Sequence, residues 1–220
     1  MTAFNFRHVL TFLGDLDHNN YKAWFDSHRP AYEETRVTFT AFIDALIDEL
    51  RESDHLQDLS ARECILRINR DIRFTKDKSP YNTNLSAMIT PGGRKSGWQG
   101  YYISIGPRDR SLVAGGFYLP TPEQLYAFRR AVDRGANELK EITCAKAFIE
   151  QFGGIEGEKL KTAPQGYSRD HPEIELLKLK QVTAIRHFSD DAVLALDFPE
   201  QALMACRAMK PFLDYINQLQ

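Results

Sequence analysis

The sequence contains only three cysteines, Cys64, Cys144 and Cys206, far apart in a chain of 220 residues. An odd number of separated cysteines excludes both a disulfide framework and the usual cysteine spacing of a zinc site. The six histidines also lack the HxxxH and HExxH spacings of metal ligands. We therefore predict no metal site and no cofactor.

The sequence also has no apolar run near the roughly 18–20 residues that cross a bilayer. Its first residues, MTAFNFRHVLTFLGDLDHNN, carry acids where a signal peptide needs an uninterrupted apolar core. We expect a cytoplasmic protein without a membrane partner. Phosphate-binding GxxxxGK[ST], dinucleotide-binding GxGxxG and hydrolase GxSxG motifs are likewise missing, so no reaction class is indicated.

Charge is unevenly distributed, although the net charge is only −2. Residues 62–110 contain ten Lys or Arg and four acidic residues, and no carboxylate lies between Asp77 and Asp109. The remainder of the chain is acidic. A basic middle between acidic segments concentrates positive potential in one region, which attracts anions.

The first third of the chain has the patterning of helices. Asn20 is a candidate cap for a short helix, and Pro30 suits the first turn of a longer helix that runs to about Ser53. Within that helix an apolar stripe recurs at helical spacing, formed by Phe39, Phe42, Ile43, Leu46, Ile47 and Leu50. This stripe predicts a core face.

The middle of the chain predicts an antiparallel sheet. The candidate strands are Cys64–Ile68, Tyr81–Ile89, Gly100–Ile105 and Leu112–Leu119. The last two read as a hairpin around a turn at Pro107–Arg110. Gly115 and Gly116 interrupt the last strand, where a bulge or the close approach of another group is usual.

The last hundred residues return to helices. Thr121 with Pro122 and Gln124 is a helix start, and a helix over Cys144–Phe152 ends at Gly153–Gly154. A strand at Gln181–Phe188, a cap at Ser189 and a closing helix from Pro199 to Leu219 complete the pattern. The prediction is one α+β domain over residues 1–220, helical in 1–60, mostly sheet in 61–120, and helical with one or two short strands in 121–220.

The candidate site is the basic stretch that follows the first predicted strand. Arg67, Arg70, Arg73 and Lys76 fall three residues apart, and Lys78 follows. If residues 69–75 form a helical turn, Arg70 and Arg73 point together while Ile72 and Phe74 pack inward. Guanidinium groups gathered in this way suit bidentate binding of phosphate or carboxylate.

Orienting hydrogen bonds for the ligand are expected from polar residues of the sheet, namely Asn82, Asn84, Tyr102 and Tyr118. Asp71 and Asp77 lie among the basic residues, so we interpret them as charge partners of the arginines rather than as an acid and base pair. Whether a reaction is catalysed is left open, because no nucleophile and base can be paired.

Several separated segments of the sequence resemble one family. They are RDIRFTKDKSPYNTN, GGRKSGWQGYYISI, GGFYLPTPEQL and KTAPQGYSRDHPEIELLKLK, together with FLGDLDHNNYKAWFDSHRPAYEE and MKPFLDYINQL near the two ends. The chain thereby resembles the mainly bacterial Domain of Unknown Function 2461 family from about Phe6 to Leu219. The family implies no activity, and Asn69 stands where its members carry an aromatic residue.

Three functions compete at the basic stretch. The first is a site for a small phosphate- or carboxylate-bearing ligand, and the second is a nucleic-acid or nucleotide-binding surface. The third is a structural or protein-interaction module in which the arginines only pair with acids. Small-ligand binding ranks first and nucleic acid lower, because the sequence pI is near 6.3; the oligomeric state is not predicted.

Overall fold

The protein is described by a computed structural model over residues 4–56 and 58–219. Its fold is α+β as predicted, with helices towards both ends of the chain and a four-stranded antiparallel sheet between them. The strands are β1 (Leu85–Ile89), β2 (Tyr101–Ile105), β3 (Ser111–Phe117) and β4 (Val182–Phe188), and they are ordered β1-β2-β3-β4 in the sheet.

The helices before the sheet are α1 (Arg7–His18), α2 (Lys22–Ser27), α3 (Arg29–Leu50) and α4 (Ala61–Cys64). Those after β3 are α5 (Pro122–Arg134), α6 (Asn137–Cys144), α7 (Lys146–Phe152), α8 (Ile174–Leu177), α9 (Asp190–Leu194) and α10 (Phe198–Gln218). Among the described residues no helix combines the length and the apolarity needed to cross a membrane.

The chain divides into two compact units. The first comprises Met1–Val113 and His187–Met204, and the second comprises Ala114–Arg186 and Ala205–Gln220. The chain leaves the first unit within β3 and returns to it within β4. One domain over the whole chain stays a prediction.

The first unit has an aromatic core built from distant parts of the chain. Phe6 and Phe42 pack edge to face at 5.1 Å between ring centroids, and Phe6 and Phe198 pack likewise at 5.2 Å. Phe188, at the end of β4, packs edge to face against Phe198 at 5.3 Å, which is the third such pair of the cluster. Edge-to-face geometry is one of the favoured arrangements of aromatic pairs, so these rings add stability beyond the area they bury.

The second unit contains the close approach expected near Gly115 and Gly116. Gly116 has a φ of 104°, and a Cβ atom there would lie 2.3 Å from the Val182 carbonyl oxygen and 2.9 Å from the Phe212 ring. Only glycine leaves room for β4 and α10 at this point of β3.

Several local signals are confirmed. Thr121 and Gln124 form a reciprocal capping box at α5, and Pro30 lies in the first turn of α3. The Ser189 hydroxyl accepts a hydrogen bond from the Ala192 N–H at the start of α9, and Gly153 ends α7 in the left-handed conformation. These signals depend only on neighbouring residues, which explains why the sequence revealed them.

The predicted strand at Cys64–Ile68 is wrong at its first residue, Cys64. Ser60 and Glu63 form a capping box, so residues 61–64 make the short helix α4 and Cys64 ends it. The chain then becomes extended, and Ile65 and Asn69 form isolated antiparallel bridges with Ala87 and Tyr81. The Ser-x-x-Glu signature was present in the sequence and outweighs the apolar run that follows it.

The predicted cap at Asn20 is also wrong. Tyr21 occupies the N-cap position of α2, and the Asn20 carboxamide instead binds the backbone of Tyr81. Its Nδ2 donates to the Tyr81 carbonyl at 2.9 Å, and its Oδ1 accepts from the Tyr81 N–H at 3.1 Å. One side chain thus holds the α1–α2 connection against the start of the sheet region.

Candidate functional site

A concave cleft of about 970 Å³ lies in the first unit, and we call it the arginine cleft. It is lined by Tyr32, Arg36, Phe39, Thr40, Arg62, Ile65, Leu66, Arg67, Ile68, Asn69, Arg70, Asp71, Asn82, Leu85 and Arg94. Five of these residues are arginines, whereas the single acidic residue among them is Asp71.

One wall of the arginine cleft is a face of α3. Tyr32, Arg36, Phe39 and Thr40 follow one another at intervals of four, three and one residue, which places them on one side of a helix. Phe39 is buried, whereas Tyr32 is half-buried. The α3 face therefore offers an apolar base with a guanidinium and a phenol above it.

The opposite wall is the extended segment 65–70. Its backbone is held to the stretch before and within β1 by three hydrogen bonds, from Leu66 N–H to Ser86, from Asn82 N–H to Ile68, and from Arg70 N–H to Pro80. These bonds measure 2.7–2.9 Å. Because alternate side chains of an extended segment point to opposite sides, the Arg67 and Asn69 side chains are exposed while that of Ile68 is buried.

Three of the five arginines are anchored by the protein. Arg70 Nη1 donates to Asp77 Oδ2 at 2.5 Å and to the Ser79 carbonyl at 3.1 Å. Arg94 Nε donates to the Glu63 carbonyl at 2.6 Å. Arg36 pairs with Glu33 at 3.1 Å and lies over the Tyr32 ring.

The other two arginines have no such anchor. Within residues 4–56 and 58–219, neither the Arg62 nor the Arg67 side chain forms a hydrogen bond or an ion pair. Both are exposed at the cleft. Their guanidinium groups are accordingly available to a ligand without loss of a protein contact.

In the loop that follows the cleft, residues 71–79, two carboxylates accept hydrogen bonds from nearby side chains and backbone. Asp77 accepts hydrogen bonds from the Ser79 hydroxyl, the Ser79 N–H and Arg70, in that order of effect, and these hold the pKa of Asp77 well below its usual range. The Arg73 guanidinium binds Asp71 through two donors, and this pairing lowers the pKa of Asp71. Both carboxylates are therefore ionised at neutral pH.

The helical turn predicted for residues 69–75 is wrong. Asn69 is still extended and bridged to Tyr81, and no helix follows among the described residues up to β1. Phe74 does not pack inward, because 92% of it is exposed, and Arg73 lies over its ring. Arg70 and Arg73 pair with different carboxylates.

The predicted site residues lie in four places. Arg67, Arg70 and Asn82 line the arginine cleft, together with Asp71. Arg73, Lys76 and Lys78 are not part of the described cleft lining. They lie in the exposed loop that follows segment 65–70. In that loop Lys78 Nζ donates to the Ile72 carbonyl at 2.8 Å.

Asn84 and Tyr102 belong to the other side of the sheet. Leu85, which lines the cleft, pairs with Ile105. Side chains alternate between the two faces of a strand, so Tyr102 and Ser104, three residues and one residue before Ile105, face the opposite side from Ile105. Asn84 Nδ2 donates to the Ser104 hydroxyl at 2.8 Å. Tyr118 belongs to the second unit, where it is 66% exposed.

Sequence reasoning missed three of the five arginines, Arg36, Arg62 and Arg94. Arg62 and Arg94 were counted in the basic region but lie five residues before Arg67 and 24 residues after Arg70 in the chain. Arg36 is 31 residues before Arg67, on a helix whose apolar stripe drew attention instead. The sequence signal for Arg36 was its helical spacing, four residues after Tyr32 and three before Phe39, which places the three residues on one helix face.

No group of three or more His, Cys, Asp or Glu side chains able to hold a metal ion occurs among residues 4–56 and 58–219. The donors of the arginine cleft are mainly cationic, and cationic side chains do not ligate metal ions. The arrangement is instead suited to anions, since arginine presents a planar fork of donors to phosphate or carboxylate oxygens.

Comparison with known proteins identifies the family but no activity. Residues 8–215 match the model of a family described as conserved hypothetical protein, DUF2461. No curated protein and no solved structure matches the chain. With nearly the whole sequence covered by that match, the chain belongs to the DUF2461 family of conserved hypothetical proteins.

Proposed function

We propose that the protein binds a small anionic ligand, bearing phosphate or carboxylate, in the arginine cleft. The observation that carries the proposal is the grouping of five arginine residues around one concave surface, where the described lining includes a single acidic residue, Asp71. Like charges repel, and their convergence on one cleft is offset when an anion lies between them.

The anchoring of the arginines supports binding further. Arg70, Arg94 and Arg36 are held by the protein through only part of their donors, and a guanidinium has five N–H groups. Their remaining donors are thus oriented in advance, which lowers the entropy lost when a ligand binds. Arg62 and Arg67 supply guanidinium groups that form no ion pair with a carboxylate of the described residues.

The proposal concerns binding rather than catalysis. Asp71 is the only acidic side chain that lines the cleft within the described chain, and its pKa is lowered by Arg73. A carboxylate held ionised in this way is a poor general acid at neutral pH. We place the protein in the cytoplasm, where phosphorylated and carboxylated metabolites are abundant.

A second candidate function is binding of single-stranded nucleic acid. Two exposed aromatic side chains favour it, Phe74 at 92% and Trp98 at 55% exposure, in the two loops that contribute Asp71 and Arg94 to the cleft. Bases stack on exposed aromatic rings while basic residues bind phosphates. Strong weakening by salt distinguishes this mode from a pocket-bound small ligand.

The test is thermal unfolding in the presence of phosphorylated metabolites, nucleotides, organic acids and short oligonucleotides at two salt concentrations. A ligand at about 100 times its Kd stabilises the folded state by about 2.7 kcal/mol. For a chain of this size about 2–4 °C of Tm corresponds to 1 kcal/mol, so the expected shift is several degrees.

Two variants assign the shift to the cleft. Arg62→Ala removes an unanchored guanidinium and should keep the melting temperature of the free protein while losing much of the ligand shift. Arg169→Ala, an exposed arginine of the second unit, is the matched control and should keep the shift. If no anion raises the melting temperature, or Arg62→Ala responds as the unaltered protein does, the proposed function is wrong.

A further inference from the structure

The two walls of the arginine cleft, α3 and segment 65–70, run in opposite directions along the chain. The two ends of the cleft differ in the structural elements that they contact. At one end, α4 meets the later part of α3, where the Ala61 N–H donates to Asp44 Oδ1 at 2.8 Å. Asp44 lies four residues beyond Thr40, the last α3 residue in the cleft lining. This end is called the α4 end.

The other end is defined by aromatic contacts. The Tyr32 ring lies 4.9 Å from the Phe25 ring, and Phe25 stacks on Tyr81 at 4.0 Å. Tyr81 is in turn the bridge partner of Asn69. The early part of α3 therefore lies beside the late part of segment 65–70, and this end is called the Tyr32 end.

The distance between the ends follows from backbone geometry. From the Ile65 bridge to the Asn69 bridge is four extended residues, or about 13 Å at 3.3 Å per residue. From Tyr32 to Thr40 is eight helical residues, or about 12 Å at 1.5 Å per residue. The two independent walls give the same length, so the cleft is an elongated groove.

The arginines are divided between these ends. Arg62 belongs to α4, and Arg94 donates to the Glu63 carbonyl of the same helix, so both lie at the α4 end. Arg70 follows the Asn69 bridge, and Arg36 lies over the Tyr32 ring at 5.8 Å, so both lie at the Tyr32 end.

The stretch between the ends is less charged. Its lining includes Leu66, Ile68 and Leu85, of which Ile68 and Leu85 are almost fully buried. Arg67 is the cationic residue of the central part of segment 65–70, and its side chain is exposed. A ligand that spans the groove would lay an uncharged body over this apolar floor.

We infer that the arginine cleft takes an elongated ligand with an anionic group at each end, separated by an uncharged body of about 10 Å or more. The inference rests on the proposed function and narrows its ligand class. A single phosphate or two adjacent phosphates reach only one arginine pair. A ligand that spans the groove contacts both pairs, and its affinity rises because the second contact forms within an already bound complex. The charged groups are phosphates or carboxylates.

The test is calorimetric titration with aliphatic α,ω-bisphosphates of increasing chain length, beside the monophosphate of each length. We expect affinity to rise with length to a maximum, at which the bisphosphate binds at least about tenfold more tightly than its monophosphate. A parallel series of α,ω-dicarboxylates distinguishes phosphate from carboxylate as the preferred group. Pyrophosphate serves as the short bis-anionic probe.

One variant at each end separates spanning from one-ended binding. Arg62→Ala and Arg36→Ala should each reduce the affinity for the optimal bisphosphate to about that of the monophosphate. The loss of the Arg36–Glu33 pair, an exposed pair within one helix, has little effect on stability. Arg169→Ala should bind every probe as the unaltered protein does.

The outcomes separate this inference from the proposed function. Equal affinity for pyrophosphate and all longer bisphosphates, with one of the two end variants unaffected, overturns the elongated ligand but leaves anion binding intact. Absence of binding by every phosphate and carboxylate probe overturns both. If affinity is greatest at one bisphosphate length, and both end variants lose this maximum, the groove selects ligands by the distance between their two charged groups.

Discussion

Asp109 and Asp190 each bind the backbone of the other. The Asp190 carboxylate accepts the N–H groups of Arg108 and Asp109 at 2.8 and 3.0 Å, and Asp109 Oδ1 accepts the Asp190 N–H at 2.7 Å. Arg108 and Asp109 have φ values of 63° and 58°, in the left-handed region that non-glycine residues rarely adopt. The hairpin turn and the start of α9 therefore stabilise one another.

A double-mutant cycle measures this relationship. Asp190→Ala leaves two turn N–H groups without their acceptor and should lower the free energy of unfolding by about 1–3 kcal/mol. Asp109→Ala removes a hydrogen bond at the beginning of α9 and should cost about 1 kcal/mol. The double variant should lose less than the sum, with a coupling of about 0.5–3 kcal/mol in urea unfolding. Additive losses would show that the two carboxylates act independently.

Gly116→Ala should destabilise the protein more than a left-handed backbone alone explains. The added methyl meets the Val182 carbonyl and the Phe212 ring, and overpacking together with left-handed strain costs about 3 kcal/mol. Gly166 has a φ of 89°, and a methyl group added there would meet no other part of the chain within 4 Å. Gly166→Ala should therefore cost only about 1 kcal/mol. Equal losses in urea unfolding for the two variants would rule out the clash.

Acid should weaken the loop that follows the arginine cleft. Hydrogen bonds from Ser79 and Arg70 lower the folded-state pKa of Asp77 below its ordinary value of 3.8. The stability that Asp77 contributes is consequently present above pH 3.8 and is lost as the pH falls through the lowered folded value. The unfolding midpoints of the unaltered protein and Asp77→Asn should differ at neutral pH, and this difference should begin to narrow below pH 3.8 and close at the lowered folded pKa.

The matched control for that experiment is Asp170→Asn, which alters an exposed carboxylate of the second unit. Its midpoint should follow that of the unaltered protein at every pH. A gap between the unaltered protein and Asp77→Asn that persists in acid would mean that the carboxylate charge does not hold the loop.

Only one of the three thiols should react with iodoacetamide in the folded protein. Cys144 is exposed, whereas Cys64 and Cys206 are buried, and burial raises the pKa of the Cys64 thiol to about 12. The thiolate is the reactive form, so a raised pKa slows alkylation in addition to blocking access. Mass spectrometry should show one label before denaturation and three after it.

The variant Cys144→Ser should take up no label in the native state. Rapid labelling of Cys64 in that variant would show that α4 opens readily, since Cys64 is its last residue. The same measurement thus reports on the stability of the α4 end of the cleft.

Local sequence signals predicted the elements well because the interactions behind them span a few residues. The Thr121 capping box, the Ser189 cap and the Gly153 helix end all depend on partners within four positions. Asn20 shows where this reasoning ends. Its carboxamide had a local partner available and instead binds Tyr81, 61 residues away, which no local pattern specifies.

The candidate site was predictable only along the segment that forms one of its walls. Arg67, Arg70 and Asn82 lie close enough in sequence to be recognised together. Arg36 and Arg94 reach the same cleft because α3 packs beside segment 65–70 and because the Arg94 guanidinium binds the Glu63 carbonyl. Tertiary packing of this kind has no signature in charge spacing.

The route of the chain through its two units dictates when the first unit can be completed during synthesis. Phe198 packs against Phe6 and Phe42, yet it leaves the ribosome after the whole of residues 114–186, which belong to the second unit. The aromatic core is thus missing one of its rings while most of the chain is being made, and contacts of such long sequence separation form slowly. The first unit therefore reaches its final packing only after residues 114–186 have been made, and a nascent chain stalled before residue 198 would lack the ring that packs against Phe6 and Phe42.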